Sequence, residues 1–149
     1  MTLGLGGTNW PSQTLMGTAG NNRMMSTFSG KTAIVTGGGS GIGREVAKLL
    51  AADGIRVVVV GRRVEPLESV VAEIKAAGGQ AIAHAADLED GDSAAGVASF
   101  TLERYGRIDI LINNAGHASK VRSIRWIQPD EWQSVFKINI DAVYRLTQA

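Results

Sequence analysis

Thr36-Gly37-Gly38-Gly39-Ser40-Gly41-Ile42-Gly43 is the stretch on which the reading of this chain turns. It follows a short apolar run, Ala33-Ile34-Val35, and leads straight into a helical pattern. A strand that ends in glycines and turns into a helix suits a pyrophosphate. Glycine permits positive φ and close main-chain approach, and the first helical turn offers unpaired N–H groups to an anion. The glycine spacing is G-x-x-x-G-x-G at Gly37, Gly41 and Gly43, not the G-x-G-x-x-G of the commonest dinucleotide fingerprint. No Gly-Lys-Ser/Thr follows, so the loop is a poor match to a Walker-type phosphate loop. Taken alone, the cluster also fits a plain tight turn.

Outward from this stretch, strand-like and helix-like segments alternate. Thr32–Thr36 is predicted as a buried strand. A helix over 41–53 presents Ile42, Val46, Leu49 and Leu50 at i, i+4, i+7, i+8 spacing as its inward face, and Gly54 ends it. Arg56–Val60, nearly all valine, is apolar on both faces, as a strand of a parallel sheet covered on both sides would be. A helix over 65–77 turns Leu67, Val70, Val71 and Ile74 inward. Gln80–Ala85 is a third strand. A helix over 90–105 carries Ala94, Val97, Ala98 and Thr101 on one face. A fourth strand covers 108–113, and Pro129 opens a last helix that runs unbroken to the end through Trp132, Phe136, Val143 and Leu146. This alternation predicts a doubly wound α/β fold with a parallel sheet and right-handed crossovers.

The bulk properties of this 149-residue chain agree with one globular domain. The chain is 44% hydrophobic and 19% charged, with net charge +1, which gives no support for nucleic acid or an acidic membrane surface as partner. It has no cysteine, so thiolate metal sites and disulfides are excluded, and no metal is expected. No apolar run is long enough to span a bilayer. Residues 1–29 hold one charged residue, Arg23, and five glycines without apolar periodicity. They read as a disordered tail, or as sequence upstream of a true start at Met24 or Met25, ahead of a domain over 30–149. They lack the basic start and apolar core of a secretory signal, which leaves a cytoplasmic location as the expectation.

Three further motifs sharpen the reading: Asp87-Leu88 after the third strand, Asn113-Asn114-Ala115-Gly116 after the fourth, and Asn139 within Phe136-Lys137-Ile138-Asn139-Ile140. Together with the glycine turn, in this order and on these elements, they resemble the short-chain dehydrogenase/reductase family over residues 30–149. The resemblance implies that Gly37, Ser40, Gly41, Ile42 and Gly43 surround the phosphates and adenosine ribose of a nicotinamide dinucleotide. It implies that Asp87 and Leu88 border the adenine, with the Asp87 carboxylate accepting from its amino group. Asn114, Ala115 and Gly116 would lie along the nicotinamide-side ribose, and Asn113 would help to fix the central strands.

The end of the second strand, where relatives that prefer NAD carry an aspartate, reads Gly61-Arg62-Arg63. A carboxylate there would repel a 2′-phosphate, whereas guanidinium groups pair with one. NADP is therefore expected in preference to NAD, with Arg62 the first contact and Arg63 the second, although one of the two also fits a solvated surface charge. For catalysis the family resemblance implies a tyrosine, a lysine four residues later, a serine, and an asparagine that holds a water. Only the asparagine has a counterpart, Asn139. Tyr105 is followed four positions on by Asp109 and Tyr144 by Gln148, so no Tyr-x-x-x-Lys exists in these 149 residues. His117 sits near the nicotinamide side, where it reads as a substrate contact or as a solvated loop residue.

The expectation is the cofactor-binding half of an oxidoreductase acting on a small carbonyl or alcohol, homo-oligomeric in its full-length form. The alternative is a nucleotide-binding or subunit-binding remnant without turnover. The segment 117–128, with Arg122, Arg125 and Trp126, is expected at the pocket entrance. The resemblance implies a Rossmann-type sheet in the order 3-2-1-4, which places the fourth strand at an edge, where it invites pairing.

Overall fold

The computed structural model describes residues 28–149. The tail assigned to residues 1–29 thus falls almost wholly outside the described residues, as do Met24 and Met25. Phe28, Ser29 and Gly30 form a turn that docks on the rest, with Gly30 N–H donating to the Gly54 carbonyl at 3.1 Å.

Four parallel strands make one sheet: β1 (Thr32–Thr36), β2 (Arg56–Gly61), β3 (Gln80–Ala85) and β4 (Ile110–Ile112), in the order β3-β2-β1-β4. The expected order is the observed one. Strand register pairs Val35 with Val59 on one side and with Ile112 on the other. Side chains alternate across a strand, so β1 and β2 feed two separate cores. Ala33, Val35, Val57 and Val59 face α1 (Gly41–Ala52) and α2 (Val64–Ala76), while Ile34, Val58 and Val60 face the other layer. That layer holds α3 (Ser93–Tyr105) and the C-terminal helices. The two-sided burial explains why Val57 to Val60 read as an unbroken apolar run: all four are fully buried.

The helix α2 buries Leu67, Val70, Val71 and Ile74, and α3 buries Ala94, Val97, Ala98 and Thr101, as their spacing predicts. The helix α1 corrects its prediction. Its buried stripe is Gly43, Ala47 and Ala51, with Val46 and Leu50 half-buried beside it, and Ile42 and Leu49 are exposed, at 77% and 68%. Small residues at i, i+4 and i+8 let the helix axis lie close to the sheet. The stripe is thereby rotated, and the larger Ile42 and Leu49 are left outside.

The unbroken last helix is a second correction. The chain forms α4 (Pro129–Phe136), a π-helical segment over Lys137–Asp141 and α5 (Ala142–Gln148). Ile138, Ala142 and Leu146 are the residues this region buries, while Trp132 and Phe136 are exposed, at 45% and 43%. A π turn inserts one extra residue into the helical repeat, and here it contains Asn139.

Candidate cofactor site

Because all four strands are parallel, their C-terminal ends deliver four loops to the same edge of the sheet. The chain reverses direction across the sheet at β1, with β2 on one side and β4 on the other, which opens a crevice of the kind in which ligands of such sheets bind. A cavity of about 370 Å³ lies there. Gly37, Gly39 and Ser40 reach it from β1, Gly61, Arg62 and Arg63 from β2, and Ala86, Leu88 and Glu89 from β3. Asn114, Ala115, Gly116 and His117 reach it from β4.

Thr36 ties the first of these loops to the last. Its buried hydroxyl donates to the Ile112 carbonyl at 3.2 Å and accepts from the N–H groups of Asn114 and Ala115 at 3.0 and 2.9 Å. Asn114 adds a side-chain tie, its Nδ2 donating to the carbonyls of Thr36 at 2.9 Å and Gly37 at 3.3 Å. Two glycines are required by this arrangement. Gly37 has φ of +63°, and a Cβ there would lie 2.9 Å from Asn114 Nδ2 and 3.0 Å from Ala115 Cα. Gly43, one turn into α1, lies so close that a Cβ would strike the Gly37 carbonyl and Asn114 Nδ2. Ser40 precedes α1 with extended backbone and makes no side-chain cap bond, so the N–H groups of the first turn are not claimed by its hydroxyl.

The opposite wall carries the charge. Arg62 and Arg63 follow β2 directly, and Arg63 is the residue before α2. Glu89 faces them from the loop after β3, its carboxylate 3.8 Å from Arg62 Nη1. Ser134 on α4 donates to the other Glu89 oxygen at 3.1 Å, and Ser134 Oγ also lies 3.3 Å from His117 Nε2. Asn139 fastens the turn after β4. Its Nδ2 donates to the His117 carbonyl at 2.7 Å and its Oδ1 accepts the His117 N–H at 3.2 Å, while a Cβ on Gly116 would strike Asn139 Oδ1. Asn139 lies within the π-helical segment Lys137–Asp141. Farther along, Ser119 Oγ and the Lys120 N–H donate to Glu131 Oε1 at 2.6 and 2.9 Å. The Ser119 hydrogen bond leads in holding Glu131 below its ordinary carboxylate range.

Of the residues named from sequence, Gly37, Ser40, Arg62, Arg63, Leu88, Asn114, Ala115 and Gly116 line one cavity. Gly41, Ile42, Gly43 and Asp87 are not in its wall. Gly43 packs behind it, and Ile42 projects outward from the start of α1. Asp87 is exposed and spends Oδ1 on the Glu89 N–H at 3.1 Å. The hydrogen bonds between β1 and the turn after β4 come from Asn114 and Ala115, while Asn113 is exposed. Within 117–128 only His117 lines the cavity; Arg125 stacks over Trp126 at 5.2 Å, and Trp126 is exposed. Thr36, Glu89 and Ser134 had no role assigned from sequence. Thr36 carries a weak signal, a hydroxyl closing a buried strand before a glycine turn. The contact of Ser134 with Glu89 joins residues 45 apart and has none.

Among the described residues no group of three or more histidines and carboxylates is placed to hold a metal. No helix among them is long and apolar enough to cross a membrane.

The family model described as short chain dehydrogenase matches residues 31–149. The chain belongs to the short-chain dehydrogenase family. Among its relatives, the cyclohexanol dehydrogenase of Acinetobacter sp. (strain SE19) is 36% identical over 121 residues, which are 81% of this chain and 48% of that protein. A metagenomic short-chain oxidoreductase in complex with NADP superposes with a TM-score of 0.79 at 42% identity, over 81% of this chain and 55% of the other. The actinorhodin polyketide ketoreductase with NADPH does so with a TM-score of 0.75 at 33% identity, over 79% and 45%. This short-chain dehydrogenase sequence thus spans about half the length of the relatives it matches.

Proposed function

We propose that this chain is the cofactor-binding part of an NADP-dependent oxidoreductase acting on a small carbonyl or alcohol. The observation that carries the preference is the pair Arg62 and Arg63 on the cavity wall, where a carboxylate would select against a 2′-phosphate. The NADP and NADPH complexes of the two structural relatives support the same choice. The cofactor would exchange a hydride with the substrate carbon.

In this reading Gly37, Ser40 and the first turn of α1 hold the pyrophosphate, with Gly41, Ile42 and Gly43 shaping that turn. Arg62 and then Arg63 bind the 2′-phosphate. Leu88 packs on the adenine, and Asp87 meets its amino group with the carboxylate oxygen that the Glu89 N–H leaves free. Asn114, Ala115 and Gly116 line the ribose on the nicotinamide side. Asn139 is a positioning residue, since both its side-chain polar atoms are bonded to the His117 peptide. The fourfold stripe of Trp132, Phe136, Ile140 and Tyr144, all exposed, supports assembly of the full-length protein with further copies of itself.

The test is a pair of binding titrations, with NADPH and with NADH. NADPH is expected to bind about tenfold more tightly, and Arg62→Gln to erase most of that difference, as loss of one charge-assisted contact does. Equal or tighter binding of NADH overturns the assignment. The absence of Tyr-x-x-x-Lys from these 149 residues favours a second reading for the chain by itself, a nucleotide-binding module without turnover. Consumption of NADPH by the purified 149-residue chain with simple ketones would refute that second reading.

A further inference from the structure

Among the described residues Glu89 is the one acidic side chain lining the cavity, and its carboxylate faces Arg62. Its loop is brought there by the pairing of β2 with β3, which continues past both strands as Ala86 N–H donates to the Gly61 carbonyl at 2.9 Å. Arg62 follows Gly61 and Glu89 lies three residues past Ala86, so the two side chains extend from neighbouring loops. The carboxylate is held from both ends: one oxygen faces Arg62 Nη1 at 3.8 Å and the other accepts from Ser134 on α4 at 3.1 Å. The Glu89 side chain is 25% exposed, against 64% for Arg62. The acid is the more buried member of the pair and has a second tie to Ser134, whereas the arginine is the more exposed.

We infer that Glu89 is a specificity-determining residue, a built-in competitor that holds Arg62 across the cofactor cleft and that a 2′-phosphate must displace. The inference rests on the proposal that Arg62 binds that phosphate. Two effects act in the same direction. A phosphate reaching Arg62 takes the guanidinium from its carboxylate, and it brings its own negative charge toward Glu89, whose position Ser134 maintains. Both oppose the phosphorylated cofactor and neither touches the unphosphorylated one. Glu89 therefore narrows the preference that Arg62 creates. Because Arg62 is well exposed, the penalty is that of a solvent-screened ion pair, about two- to fivefold in Kd.

The experiment compares Kd for NADPH and NADH in the wild-type chain, Glu89→Gln, Ser134→Ala, Arg62→Gln and the Glu89→Gln/Arg62→Gln double variant. Thermal unfolding confirms that each is folded. Glu89→Gln keeps the side-chain shape and should tighten NADPH about two- to fivefold while moving NADH less than twofold. Ser134→Ala, which frees the carboxylate, should give a smaller change of the same sign. In the Arg62→Gln background the gain from Glu89→Gln should fall below twofold. An unchanged NADPH-to-NADH ratio in Glu89→Gln, an equal shift for both cofactors, or a gain that persists without Arg62 overturns the role of Glu89. These results leave the NADP assignment standing. A wild-type chain that binds NADH as tightly as NADPH, with Arg62→Gln indistinguishable from it, instead refutes the assignment itself and this inference with it.

Discussion

Replacing Thr36 by valine keeps the volume and the β-branch of a fully buried strand residue and removes only its hydroxyl. That hydroxyl has one hydrogen to donate and two lone pairs, and all three are used, by Ile112, Asn114 and Ala115. The losses are unequal. Asn114 N–H also donates to the Ile112 carbonyl at 3.0 Å, so these two groups keep each other as partners in the variant. The Ala115 N–H keeps none. An unmet, partly buried donor costs about 1–3 kcal/mol. The weakened Asn114–Ile112 pair adds about 0.5–1 kcal/mol, and the more apolar methyl returns about 0.8 kcal/mol. The net expectation is a loss of about 2 kcal/mol, or about 8 °C in melting temperature for a domain of this size. Thr36→Ser is the control, because it keeps the hydroxyl and loses a methyl, at about 1 kcal/mol. Urea unfolding followed by tryptophan fluorescence measures both. Amide exchange at Ala115 is the local readout, with protection lost in the valine variant and retained in the serine one. Binding of NADPH should weaken several-fold in the valine variant, since Asn114 and Ala115 line the cavity. If Thr36→Val is as stable as Thr36→Ser with Ala115 still protected, the hydroxyl does not join the two turns and the reasoning fails.

Two glycine substitutions should have opposite signs. Gly43→Ala drives a methyl into the Gly37 carbonyl and should destabilise by about 1–3 kcal/mol. Gly96→Ala, at the end of the first turn of α3 with open space around it, should stabilise by about 0.5–1 kcal/mol, both read as shifts in urea midpoint. Gly61→Asp places a carboxylate at the end of β2, where a Cβ meets the Leu67 side chain, Cδ2 at 3.3 Å and Cγ at 4.0 Å, so binding titrations should show NADH gaining and NADPH losing affinity. Asp109 is held below its ordinary carboxylate range first by Arg107 and then by the Thr32 N–H. Its folded-state value is depressed, so its contribution is complete above the unfolded value of about 3.9 and is lost as pH falls toward the folded value. Asp109→Asn should therefore be less stable than wild type at neutral pH, and the gap should close on acidification below pH of about 4 in unfolding midpoints measured across that range.

How far the sequence revealed this molecule follows the range over which each interaction acts. The strand–helix alternation, the valine run buried on both faces and the buried faces of α2 and α3 were legible because each is a periodic demand that one segment makes on its own residues, whereas the strand order came from the family resemblance. The face of α1 was not. Its orientation is decided by how closely the helix approaches the sheet, and Gly43, Ala47 and Ala51 allow an approach that a count of large apolar residues ranks against. The break in the last helix was hidden for a related reason. Lys137-Ile138-Asn139-Ile140-Asp141 contains neither proline nor glycine, and the turn widens where Asn139 meets the His117 peptide, a partner 22 residues away.

The cavity divides along the same line. Its glycines, arginines and Asn-Ala-Gly turn were readable, because each sits at the end of a strand and answers to one local need. The groups that couple one loop to another were not: Thr36 reaches 79 residues to Ala115, and Ser134 reaches 45 to Glu89. Such couplings set how firmly the walls are held and against what competition a ligand enters. For this reason two chains with the same glycine turn and the same arginine pair should still differ in cofactor preference, according to whether a fixed carboxylate faces the arginine.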